Sequence, residues 1–390
     1  MRRSLIAGAG GLLLIAAVTS ACTSDSDDMT PTTATATGTA THTAEATPHT
    51  EDAHGAVDPG DLLAAVIHLD AAGFHAMDDA LNGDAPEIDP AWLGAAQRAR
   101  VAVEAVAWPE GLTDAVEAFV TASAALEAAL DADDAAAAAP LAVTAHDTQH
   151  ALSHEAYHAI GEAEPASGGG ATLAALVIVG RAGLVEMAST LAGETPAIDA
   201  AWLGRVMNAR AAAEAVAWPG ESQAAADGFI EAATALGAAI ESDDVAATAS
   251  AVEVALQAQS TLATRAYGAL SGMRGSASSP GTVLAAIAII DGAGFHAMDD
   301  ALNGDAPEVD AAWAAAVTRA KRAAQTVAWP EGVQPAADAF VAAATALETA
   351  LTAAEVDLAA AAEAAVAAHE TQHDLSHDAY AALGGTAGGH

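Results

Sequence analysis

The chain has 390 residues, 53% of them hydrophobic but only 4% aromatic, and carries a formal charge of −40 at pH 7. Fifty-two acidic side chains against twelve basic ones leave no basic face for phosphate contacts, which excludes nucleic acid as a partner. A single cysteine excludes an internal disulfide and any multi-thiolate site.

Arg2 and Arg3 open the chain on positive charge, and the apolar run from Leu5 to Val18 is too short for an ordinary spanning helix. Residues 1–21 therefore read as an export signal. The run ends in Val18-Thr19-Ser20-Ala21-Cys22, a segment that resembles the lipobox of bacterial lipoproteins, with Thr19 in place of the commoner aliphatic residue. The resemblance implies cleavage before Cys22, a lipid on that cysteine, and attachment to the cell envelope. The site of attachment is then the outside of the plasma membrane or the periplasmic side of a membrane. The flanking Thr, Ser and Asp give Cys22 no periodic apolar context in which to be a core residue.

Residues 22–59 are Thr, Ala, Ser, Asp and Pro with almost no large apolar side chain, which predicts a disordered tether. His42, His49 and His54 are isolated within it and carry little weight. Once Arg2 and Arg3 are cut away, ten basic residues face fifty-two acidic ones, a formal charge near −42. Such a charge keeps the protein soluble, attracts cations and repels anionic headgroups, but most of these carboxylates need only be solvated helix faces.

Beyond the tether the sequence repeats. GFHAMDDALNGDAPE at Gly73 to Glu87 recurs unchanged at Gly294 to Glu308, and a degenerate GLVEMASTLAGETPA starts at Gly183 between them. Each copy then supplies a first tryptophan (Trp92, Trp202, Trp313), an Ala-Trp-Pro (Trp108, Trp218, Trp329), a phenylalanine (Phe119, Phe229, Phe340) and a tyrosine (Tyr157, Tyr267, Tyr380). All six tryptophans and all three tyrosines obey the scheme, so it divides the chain into repeats at 60–163, 168–272 and 280–386.

Punctuation inside the first repeat predicts four helices. The first runs from about Leu62 to Leu81 and stops at Asn82-Gly83; the second opens at Asp89-Pro90 and ends at Trp108-Pro109. Thr113 caps the third, and the fourth runs from the Asp133-Asp134 region to about Ile160, with Pro140 as a kink or as its real start. No stretch alternates as a strand does. The expected fold is all-α, with three tandem four-helix-bundle-like repeats.

The chemistry lies on the first and fourth helices. AHDTQHALSHEAYHAI places His146, His150, His154 and His158 at steps of four, and the third repeat matches the first three with His369, His373 and His377. Steps of four drift by about 40° each, so neighbouring imidazoles can share one ligand. The middle repeat has Leu256, Ser260 and Thr264 at these positions, which makes His146 the buried end of the row and His154 the solvent end. The first helix adds His75, Asp70, Asp78 and Asp79, with His296, Asp291, Asp299 and Asp300 in the third repeat. On a helical projection Asp70 falls among Val66, Phe74, Met77 and Leu81, where a carboxylate needs a partner.

The middle repeat keeps the aromatic residues and Met187 but carries Gly180, Val185, Ala188 and Ser189 where the first has Asp70, His75, Asp78 and Asp79. Residues needed only for folding would persist there, so their joint loss points to one working unit. Imidazoles and carboxylates without thiolate suit a divalent transition metal such as Zn, Cu(II), Fe or Ni. The expected ligands are His75, His146 and His150, with Asp70 or Asp79 as ligand or orienting acceptor and His154 completing the set. His296, His369, His373, Asp291, Asp300 and His377 form the matching site. Sequestration or delivery of metal, with an envelope transporter or metallochaperone as partner, follows from that reading. Two alternatives stand beside it: a structural or interaction lipoprotein with pH-responsive buried His-Asp pairs, and a haem or di-metal redox bundle. No CxxCH is present for covalent haem, and no catalytic constellation appears; adjacent Ser153 and His154 point apart on a helix.

Overall fold

A computed structural model describes residues 57–384. The export signal, Cys22 and the tether up to residue 56 lie outside the described residues. The described part is all-α, its only named strands being two parallel two-residue segments, Ala166–Ser167 and Val216–Ala217.

The first repeat holds five helices rather than four: α1 (Pro59–Ala71), α2 (Phe74–Leu81), α3 (Ala91–Ala105), α4 (Thr113–Asp131) and α5 (Ala135–Glu162). The expected helix from Leu62 to Leu81 is broken at Gly73, whose φ of 75° lies in the left-handed region that glycine enters without a Cβ penalty. The break recurs at Gly183 and Gly294, with φ of 75° and 80°. Asp89, Asp199 and Asp310 turn the chain into the following helix, each accepting from the N–H two residues on. Asp134 caps α5, so that helix begins before Pro140 and runs through it. Thr113 donates back to the Glu110 carbonyl instead of capping α4, which a turn of 3₁₀ helix introduces.

The same order recurs in the middle repeat as α6 (Gly169–Gly180), α7 (Leu184–Leu191), α8 (Ala201–Glu214), α9 (Ser222–Glu241) and α10 (Val245–Leu270). The third has α11 (Pro280–Asp291), α12 (Phe295–Asn303), α13 (Trp313–Thr326), α14 (Gln334–Leu351) and α15 (Leu358–Ala382). Within each repeat the long helices pack in a closed square, the short second helix continuing the first wall along the last helix. In all three the Ala-Trp-Pro indole donates to the carbonyl five residues back, at 2.7–2.8 Å.

The three squares are not independent bundles. Helices α1, α6 and α11 pack against one another as a central hub, which explains why each is apolar nearly all round. Gly169–Leu191 and Pro280–Asn303 are long and apolar enough to cross a bilayer, yet both are mostly buried and both break at the left-handed glycine. At one end of the hub, glycines let the backbones meet in a ring. A Cβ on Gly60 would strike Ala171, one on Gly170 would strike Thr282, and one on Gly281 would strike Asp61. Each repeat thus touches the next and the third closes on the first. The hub joins the cores of the second and third repeats, whereas Phe74, Met77, Phe119, Leu126 and Leu152 form a separate core in the first.

Candidate metal centre

The histidine row of α5 begins where α2 packs against it. His146 Nδ1 lies 3.0 Å from Asp78 Oδ2. A carboxylate only accepts, so Nδ1 carries the proton and the Nε2 lone pair is left for another partner. That Nε2 is buried and has no hydrogen-bond partner. Asp78 is itself held, because Asn82 Nδ2 donates to its Oδ1 at 3.0 Å and to the Ala139 carbonyl of α5 at 3.1 Å. A carboxylate behind an imidazole in this way fixes the tautomer and orientation of metal-binding histidines.

His75 approaches Asp79, one turn on, at 3.4 Å through Nε2, while its Nδ1 is buried without a partner. Its ring centroid lies 4.8 Å from that of His146, and the His150 ring lies 4.7 Å from His146. Three imidazoles therefore form one contiguous group with a carboxylate behind each of two. Burial, then the charges His146 and His75 would carry, hold the His150 pKa below the ordinary histidine value, favouring the neutral ring that binds metal.

The third repeat keeps these contacts, but its outer imidazole, His296, is 72% exposed where His75 is 29% exposed. His369 Nδ1 is 2.9 Å from Asp299 Oδ2, Asn303 donates to Asp299 Oδ1 at 2.9 Å, and His296 lies 3.4 Å from Asp300. Ring separations are again 4.8 Å and 4.7 Å. Here His373 Nε2 stands 2.9 Å from His369 Nε2. Two imidazole nitrogens bound to one metal at about 2.0–2.1 Å stand about 2.9 Å apart at a right angle and about 3.4 Å apart at the tetrahedral angle. With the His369 proton committed to Asp299, the gap between the two Nε2 atoms takes one proton or one metal ion. Among the described residues no three His, Cys, Asp or Glu side chains are gathered into a formed metal site. What stands is a two-imidazole edge with a third ring beside it.

Other expected members lie elsewhere. Asp70 and Asp291 are held by other side chains: Asp70 accepts from Ser153 at 2.6 Å and Gln149 at 2.9 Å, and Asp291 accepts at 2.6 Å from both Ser376 and Gln372, with His373 near enough to act on Asp291 through charge. The helical projection misplaced Asp70 because Gly73 ends that helix, so Phe74 and Met77 belong to a different axis. Both carboxylates keep an edge open to water yet are crowded by protein, which raises their pKa against the pull of those donors and of Arg181 or Arg98. His154 is 79% exposed beside Glu155, and His377 is 45% exposed beside Asp378, so neither completes the group. The row does run from a covered His146 to an open His154, as the middle repeat implied. His75 meets the α5 of its own repeat rather than a neighbour. Met77 and Met298 are fully buried core residues.

Asp78, Asp299 and the two asparagines are the members that sequence reasoning left outside its ligand set. Ala188 at the equivalent position of the middle repeat was the signal for the aspartates. That repeat places Val185 where His75 stands, 72% exposed, a surface with no packing reason to exist. Compared with known proteins, the chain matches no family, no curated protein and no solved structure.

Proposed function

We propose that this protein is a lipid-anchored protein of the cell envelope that binds a divalent transition metal, for sequestration or delivery, at one site in each of its first and third repeats. His146, His150 and His75 supply the donors of the first site, and His369, His373 and His296 those of the second. Asp78 and Asp299 orient the central imidazoles, and Asp79 and Asp300 flank the outer ones. One observation carries the reading: two buried imidazole lone pairs, His75 Nδ1 and His146 Nε2, lie on touching rings with no donor to satisfy either. Buried acceptors of this kind are rarely left empty-handed, and a cation answers both at once. Imidazole donors with carboxylate support suit Zn, Cu(II) or Fe, and an envelope transporter or metallochaperone is the fitting recipient.

The test is the metal content of the purified chain beginning at Asp58, with and without paired His146→Ala and His369→Ala substitutions. Co-purifying Zn, Cu or Fe that is lost in the double variant supports the proposal, whereas metal retained by it removes these histidines from the site. A second reading, a pH-responsive interaction protein, draws on His68. This buried imidazole has a pKa pushed down to about 4 and links two repeats through Tyr380 and the Leu284 carbonyl.

A further inference from the structure

The three seams between neighbouring repeats differ. Helices α5 and α8 pack together across the first seam, and α10 and α13 across the second. Short parallel strand pairs tie the linkers into both, Ala166 opposite Val216 and Ala277 opposite Val327. At the third seam α15 does not pack closely on α3, which meets α11 instead, and no strand pair ties the two repeats among the described residues. A cavity of about 420 Å³ opens there, within the size range of small-molecule sites.

Its lining is unusual for so acidic a chain. Arg98 and Arg181 both face it, two of the ten basic residues beyond the export signal. Arg181 spends one donor on the Ile67 carbonyl at 2.9 Å. Arg98 makes no hydrogen bond or ion pair among the described residues and sits near Asp291, whose Oδ1 is already engaged by Ser376 and Gln372. All five N–H donors of Arg98 therefore remain for a ligand. The remaining wall is divided between small apolar residues, among them Ala71, Ala95 and Val101, and polar ones, among them Gln97 and His377. Tyr380 closes one side, and its hydroxyl donates to His68 Nδ1 at 3.0 Å, which holds the ring in place.

We infer that the seam between the third and first repeats is a binding site for a small organic monocarboxylate with an apolar body, clamped by Arg98 with Arg181 as the second positive charge. A planar guanidinium matches a carboxylate through two parallel hydrogen bonds. Asp291 leaves the site short of the positive charge that a phosphate dianion would need, and an inorganic ion would leave the apolar part of the wall uncovered. The site stands apart from the proposed metal donors except for His373, which lines the cavity and also meets His369.

Binding is measured on the full-length chain in detergent by calorimetry and ligand-observed NMR. The probes are hexanoate, benzoate and phenylacetate, their neutral amides, and inorganic phosphate. At least one carboxylate should bind saturably at one per chain, with its amide and phosphate weaker by about tenfold or more. Arg98→Ala should weaken that carboxylate by about tenfold or more as well. Gly94→Leu intrudes on the cavity and on Arg98, whose Nη1 lies 3.1 Å from where the new Cβ would stand, while replacing a helical glycine, so it should keep the fold and abolish binding, and it decides the matter if Arg98→Ala does not fold. Saturable binding by none of the three carboxylates overturns the site. Carboxylate and amide binding alike, phosphate binding best, or unchanged affinity in a folded Arg98→Ala overturns the carboxylate clamp.

Discussion

His68 shows how one residue ties the repeats together. Isoleucine stands at its position in the other two, Ile178 and Ile289, so a polar group has been placed where packing alone asks for a hydrocarbon. The Leu284 carbonyl can only accept, so His68 Nε2 carries the proton and Nδ1 accepts from Tyr380. Burial pushes its pKa from 6.5 to about 4. As pH falls below 6.5 the unfolded chain takes up this proton and the folded chain does not until about pH 4, so stability is lost across that window. The loss between pH 7 and pH 5 amounts to about 2 kcal/mol. Asp70 and Asp291 act in the opposite sense, because their raised pKa makes the folded chain protonate first as pH falls. Thermal melts at pH 7 and pH 5 should therefore differ less in the His68→Ile, Tyr380→Phe double variant than in the parent. An identical pH dependence in both would remove His68 from the account. This residue was visible in the sequence only as an odd histidine, since its partners lie 216 and 312 residues away.

Among the elements, the broken first wall matters most. Leu62 to Leu81 reads as one helix because glycine is tolerated in helices and the flanking pattern continues past it. The left-handed turn at Gly73 redirects the chain so that α2 carries His75, Asp78 and Asp79 onto α5, while Asp70 stays behind on α1. The periodic histidines of α5 and their gradient of exposure were legible, being a property of one helix. The pairing of His146 with Asp78 was not, because it depends on how two helices cross. A Cβ on Gly73 would meet nothing within 4 Å, so Gly73→Ala probes conformation alone. It should cost about 1–2 kcal/mol, read as a lower denaturation midpoint, and should weaken metal binding in the first repeat more than in the third. An unchanged midpoint would show that the turn carries no conformational demand.

For the whole molecule, the repeat was legible from its aromatic landmarks, but its closure was not. Three first helices, each apolar nearly all round, require neighbours, and the sequence does not say which. The hub answers this by bringing Gly60, Gly170 and Gly281 against the next repeat in turn. Gly170→Val would drive its side chain into Thr282 and should destabilise the assembly by about 1–3 kcal/mol. Gly111→Ala is the comparison, since it meets nothing within 4 Å; an equal effect from both would argue against tight closure. In this arrangement the first and third repeats each carry an equivalent set of imidazoles, and the middle one carries packing residues in their place. The direct test is the stoichiometry of Zn and Cu(II) binding by calorimetric titration. Two equivalents are expected for the parent, one after His146→Ala with His150→Ala, and none after His369→Ala and His373→Ala are added. Two equivalents persisting through all four substitutions, or none bound by the parent, would contradict this arrangement.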